Sequence, residues 1–342
     1  MKFIKRYRTL ALLSEKHHQV PVVTQEKRHL GIILTFVGWM LLAFYTVFFQ
    51  VETLQPNQIF TSSLSTLFIE FTIAHSAMFV FFFLFCIIRG VKFLKPKEPR
   101  LLFVRSITAI ISLWCYSLSR VWTNTVDNSM LYSTDAFWVV IMLRLLGIKI
   151  RVAALIGILI GLAGVIYVYS YDIRTLYDLI GGTIGTLSGV TLALITIITC
   201  YLVKQDPPIR IGLYQSIIGI ASSLLLAIIF GTIYGWKFPD YRSTLTMIFS
   251  GFFFAMMLFC IWEAFFYTET YIIGAISFFL PVFVEFINWI VTKETVASTT
   301  VTGSIIITIG GLIVIFDSYI EDSKKIKHYA DSRSIDKRKS NH

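Results

Sequence analysis

The chain has 342 residues, 56% of them hydrophobic and only 15% charged, with a formal net charge of +10. Soluble domains carry about 25% charged residues, so a water-soluble globular domain is excluded, and 30 Phe with 16 Tyr exclude a disordered polymer. The basic excess lies mostly outside the apolar runs, where it orients a membrane protein rather than binding nucleic acid.

Residues 1–29 read as a basic cytoplasmic tail. Lys2, Lys5, Arg6 and Arg8 are followed only by Thr9-Leu10-Ala11-Leu12-Leu13 before Glu15, Lys16, His17 and His18. That apolar stretch is too short for the core of a secretory signal. A bilayer span needs about 20 apolar residues. Runs of that length predict helices near 30–50, 66–88, 101–121, 128–147, 152–170, 179–203, 210–234, 244–267, 271–292 and 298–317. Residues 318–342 form a charged cytoplasmic tail. Backbone groups in lipid must be satisfied within the segment, so the spans are helices, and the short alternating strands of an outer-membrane barrel are absent from the pattern. The connections are too short for a soluble domain. Cys86, Cys115, Cys200 and Cys260 all fall in apolar runs and read as small hydrophobes, not a disulfide framework.

With the N-terminus in the cytoplasm, 25 of the 30 Lys and Arg fall on the cytoplasmic side, Arg105 among them as a loop residue, and 5 fall outside. That asymmetry predicts a multi-pass protein of the plasma (inner) membrane with both termini cytoplasmic. Asp135-Ala-Phe137 through Gly157 and Gly164 aligns without gaps on Pro281-Val-Phe283 through Gly303 and Gly310, at an offset of 146. The fold expected is therefore all-α: ten transmembrane helices as two inverted five-helix repeats, 30–170 and 171–317. Inverted repeats are a signature of secondary transporters. Gly157, Gly161, Gly164, Gly185, Gly189, Gly303, Gly310 and Gly311 have the spacing that lets membrane helices approach closely.

Phe279-Leu-Pro281-Val-Phe283, Thr292-Lys-Glu294, Thr302-Gly303 and Ile309-Gly-Gly-Leu312 resemble the ninth helix, the acidic residue after it and the glycine-punctuated tenth helix of EamA-type transporters. These belong to the drug/metabolite transporter superfamily. The first half departs from the pattern. Asp135 stands where that family commonly has Pro, and Gly147-Ile148-Lys149 where a Gly-Glu pair is usual. The resemblance implies ten helices in two repeats and transport of a small metabolite, with the fourth and ninth helices central.

Charges inside a bilayer are costly and usually face a cavity. Tyr132, Asp135 and Trp138 share one helix face, and Glu285, Asn288 and Trp289 share another. Asp135 and Glu285 are expected to meet across the cavity, share a proton and bind a cation or couple to protons. Glu70 and His75 are expected to form a second proton relay. Trp114, Tyr116, Tyr132 and Asn288 would shape the substrate site, Arg120 would hold a substrate carboxylate or pair with Asp127, and Glu263 would gate. Gln215 reads as a helix contact or a weak site candidate.

No phosphate-binding loop, zinc-protease motif or nucleophile elbow occurs, and no His/Cys cluster suggests a metal or haem. No enzyme, cofactor or metal is expected. The expected function is secondary active transport, as exporter or exchanger, of a small polar metabolite such as an amino acid, a nucleoside-like compound or a cationic drug. It would proceed by alternating access with proton coupling. The expected partners are the substrate and the lipid bilayer, with no nucleic acid, and the protein would be a monomer or homodimer. The alternatives are a flippase for lipids or lipid-linked sugars, and a non-transporting membrane scaffold.

Overall fold

The computed structural model describes residues 25–50, 63–90, 94–120, 122–123, 125–148, 150–172, 176–293 and 298–317. Most of the two expected tails and Glu294 lie outside them. Among the described residues the secondary structure is helical throughout. The helices are α1 (Gln25–Gln50), α2 (Ser63–Arg89), α3 (Pro99–Ser119), α4 (Thr125–Tyr132), α5 (Asp135–Leu145), α6 (Val152–Asp172), α7 (Leu176–Leu202), α8 (Pro208–Tyr234), α9 (Tyr241–Ala264), α10 (Thr270–Ser277) and α11 (Leu280–Thr292). The last, α12, is Ser298–Asp317. Nine stretches are long and apolar enough to cross a bilayer, counting α10 with α11 as one. Helices α4 and α5 supply a further stretch, interrupted at Ser133 and Thr134. The described residues are those of an all-helical, multi-pass membrane protein.

The helix ends follow from local chemistry. Pro99 and Pro208 sit in the first turns of α3 and α8, where the missing N–H is not needed. The Asp240 carboxylate accepts from the Ser243 N–H at 2.7 Å and caps α9. Gly90, Gly147 and Gly235 follow α2, α5 and α8 with φ of 94°, 86° and 90°, a region closed to most other residues.

The two interrupted helices have separate causes. Pro281 has no N–H, so the Ser277 carbonyl four residues earlier loses its helical partner, and α10 ends there. In the first half, Ser133 Oγ bonds Ser129 O at 2.9 Å and Thr134 Oγ1 bonds Leu131 O at 2.7 Å. Such side-chain bonds compete with the backbone ladder and bend helices.

Helix α2 packs along α8, α1 along α9, and α3 along α7. Helix α11 lies against α1 and α5 against α7, while α10 meets α5 and α11 meets α4. Helices α6 and α12 cross antiparallel. A Cβ built on Gly157 would stand 2.7 Å from Gly310 O, and one on Gly164 would stand 3.0 Å from Gly303 O. The glycines therefore mark the backbone-to-backbone contacts that their spacing predicts.

One charge lies deeper than the sequence predicts. Arg105 is not a loop residue. It lies six positions into α3, about 9 Å along the axis, and only 1% of its surface is exposed.

Candidate functional site

The two helix interruptions meet. Ser133 Oγ lies 2.9 Å from the Ser277 carbonyl, the acceptor that Pro281 leaves unused, and its single proton serves either that carbonyl or Ser129 O. In return Ser277 Oγ donates to Asp135 Oδ1. Asp135 opens α5 and is buried. Ser277 Oγ also lies 2.6 Å from Gly274 O. A hydroxyl has one proton, so it serves one acceptor at a time. An ionised Asp135 takes that proton. A protonated Asp135 donates to Oγ and releases the hydroxyl to Gly274.

A belt of phenols runs from this crossing. The Tyr132 ring packs on Tyr116 with centroids 4.7 Å apart. Tyr116 OH lies 3.0 Å from Thr46 Oγ1, and Asn128 Nδ2 donates to Tyr116 O at 2.9 Å. Tyr45 is close enough to Tyr116 and to Glu70 to act on each electrostatically, and Arg120, which caps α3, acts on both phenols. Glu70 accepts from Ser243 Oγ at 2.7 Å, tying α2 to α9. Trp114 stands edge-on to Phe68 at 5.6 Å, so it belongs to an aromatic cluster with Phe230.

Tyr132 also lies within electrostatic reach of Arg105, which extends the polar core along α3. Arg105 Nε donates to Thr199 Oγ1 at 3.0 Å, and Nη1 donates to Gln215 Oε1. The guanidinium lies 4.5 Å from the centre of the Trp262 ring, which in turn stacks on Phe82. Gln215 is thus a direct partner of a buried charge. A signal for Arg105 was present in the sequence. Arg105, Ser112 and Tyr116 recur at helical spacing on one face of α3, and all three are buried. Thr199 carried no such signal.

Two expected arrangements are corrected. Asp135 and Glu285 do not meet. Asp135 is buried at the crossing, whereas Glu285 is half-buried and faces a groove of about 380 Å³ between α11 and α12. That groove is lined by Val282, Phe286, Trp289, Ser304 and Thr308 among others, and its rim residues Phe286, Trp289 and Ile305 are exposed. Asn288 is half-buried on the same helix but does not line the groove. Second, Glu70 and His75 form no relay. Five residues are about 140° around a helix, so Glu70 faces Ser243 on α9 while His75 packs on Gly219 of α8. His75 Nδ1 is 2.7 Å from Phe71 O. A carbonyl only accepts, so the proton sits on Nδ1. Glu263 occupies the last turn of α9, beside Trp262, where its position in the run predicts.

The separation of the two acids has a measurable consequence. The stability changes of Asp135→Asn and Glu285→Gln should add in the double variant within about 0.5 kcal/mol. Thermal unfolding of the four proteins measures this, and a coupling well above that would mean the carboxylates touch.

No known protein family matches the chain, and no curated protein sequence does. The fold does have a counterpart among solved structures. One crystal structure, described only as that of a protein, superposes with a TM-score of 0.62 at 16% identity, over 85% of this chain and 96% of the other. At that identity the likeness concerns the fold alone.

Proposed function

We propose that the protein is a secondary transporter of a small polar metabolite, an exporter or exchanger of the EamA-like drug/metabolite type that works by alternating access. The observation that carries the reading is the crossing of two interrupted helices at Asp135 and Ser277, next to a buried polar core. Transporter sites are typically formed by discontinuous helices at a repeat interface.

Two inverted repeats follow from the same reading. Under the exchange of α1–α6 with α7–α12, the contact of α1 with α9 becomes that of α7 with α3. Likewise α11 on α1 becomes α5 on α7, and α10 on α5 becomes α4 on α11. The pairs Gly157–Gly310 and Gly164–Gly303 also exchange under the offset of 146 residues. Supporting the gating half of the mechanism, one end of the bundle carries ion pairs between separate elements. Arg28 on α1 meets Glu269 before α10 at 2.9 Å, and Arg151 before α6 meets Asp317 on α12 at 3.2 Å. By the distribution of Lys and Arg, this end faces the cytoplasm of a plasma (inner) membrane.

The groove beside Glu285 favours a second reading, a lipid flippase, because it combines a carboxylate and hydroxyls with an apolar, exposed rim. One reconstitution separates the two. Proteoliposomes are loaded with unlabelled amino acids or nucleosides and assayed for counterflow of labelled tracer, and parallel vesicles for movement of a fluorescent phospholipid between leaflets. Saturable counterflow without lipid movement is the expected result. Lipid movement without counterflow would replace the transporter by the flippase.

A further inference from the structure

Arg105 is a charge buried in a membrane bundle, with no counter-charge paired to it among the described residues. Buried charges are normally paired, and a cation inside a membrane span is costly and rare. The partners of Arg105 are neutral: the Thr199 hydroxyl, the Gln215 carbonyl oxygen and the Trp262 ring. Among the described residues no carboxylate pairs with it. Its side chain offers five N–H donors, and Nη2 has no hydrogen-bond partner among the described residues. The Gln215 carbonyl is turned to the guanidinium, which leaves the Gln215 Nε2 amide as a second donor group without one.

The position is built, not incidental. Trp262 from α9 fixes the plane of the guanidinium, Thr199 from α7 and Gln215 from α8 fix its rotation, and Tyr132 from α4 acts on it electrostatically. Three helices thus hold one cation that projects from a fourth, α3. A planar fork with a free donor matches the two oxygens of a carboxylate or phosphate, and its positive charge repels cationic ligands.

We infer that Arg105 with Gln215 is the anion-binding half of the substrate site, and that the substrate carries a carboxylate or a phosphate. The inference rests on the transport reading and narrows it. Acidic or zwitterionic metabolites fit, and purely cationic drugs do not.

The test is equilibrium binding to the purified full-length protein, read by thermal stabilisation, since a ligand of the folded state raises its stability by mass action. The probes are succinate and glutamate for the carboxylate arm, inorganic phosphate and glycerol phosphate for the phosphate arm, and choline as the cationic control. The proteins are wild type, Arg105→Lys and Gln215→Leu. Arg105→Lys keeps the charge but loses the fork, so its unliganded melting point should stay near that of wild type. At least one anion should stabilise wild type, with choline inert. Each variant should bind that anion more weakly by about tenfold or more, as for the loss of a charge-assisted hydrogen bond. The arm that responds names the class. If no anion stabilises wild type, or if the variants respond as wild type does, the inference is overturned. Anion binding that depends on Arg105, without counterflow in vesicles, would sink the transport reading and leave the anion site standing. Counterflow of a cationic or neutral compound, unaffected by Arg105→Lys, would do the reverse.

Discussion

Gly310→Ala should destabilise the protein by about 2 kcal/mol, whereas the same change at Gly274 should be neutral or stabilising. The chemistry is identical and the surroundings are opposite. A Cβ at Gly310 would stand 2.5 Å from both Gly157 O and Gly161 N. These are backbone atoms of α6, so no side chain can swing away and the two helices must part. Overpacking a tight contact costs about 1–3 kcal/mol, and in lipid this packing is itself the force that holds helices together. At Gly274 the nearest atom to a new Cβ is 3.5 Å away, ordinary contact distance. Alanine there gains up to about 1 kcal/mol of helix propensity. Gly157→Ala should resemble Gly310→Ala, with its Cβ 2.7 Å from Gly310 O. Because either substitution opens the same gap, the two together should cost less than their sum. Melting of the purified proteins in detergent checks all four. A tolerated Gly310→Ala would mean that α6 and α12 do not touch.

The spans were legible in the sequence because length and hydropathy suffice for them. The 210–234 run is the helix Pro208–Tyr234, and 271–292 is the stretch from Thr270 to Thr292. Interruptions were less legible. Pro281 marks the second, but its consequence needs a partner: the freed Ser277 carbonyl matters because Ser133 reaches it. The first interruption has no proline and depends on hydroxyls that are unremarkable in isolation. Residue type and depth single out Asp135, Tyr116 and Tyr132, all three of which are buried. They fail where direction decides. Glu285 has the right depth on the wrong side of its helix, and Glu70 and His75 are near in number but diverge around α2. Arg105 was lost to the assumption that a cation near a helix start belongs to the loop. Its stripe with Ser112 and Tyr116 argues otherwise.

Asp135→Asn should leave the protein as stable as wild type within about 1 kcal/mol and still remove accumulation of substrate against a gradient. The stability half follows from shape and hydrogen bonding. An asparagine amide can donate to Ser277 Oγ, which then bonds Gly274 O at 2.6 Å. Every group at the crossing keeps a partner, as it does with a protonated Asp135. Asp135→Ala is the contrast. It strips Ser277 of its link to α5 and opens a void between the interrupted helices, which should cost about 1–3 kcal/mol. The functional half follows from the two hydrogen-bond states of Ser277. If Asp135 gains and loses a proton in each cycle, the asparagine variant is held in the protonated pattern. It should still exchange labelled for unlabelled substrate across a vesicle, because exchange needs no net proton movement. It should fail to concentrate substrate when a proton gradient is imposed. Counterflow and gradient-driven uptake, measured on the same proteoliposomes, separate the two activities. Normal accumulation by Asp135→Asn would reduce Asp135 to a strut between α5 and α10. Loss of both activities, with melting unchanged, would make the carboxylate part of substrate binding rather than of coupling.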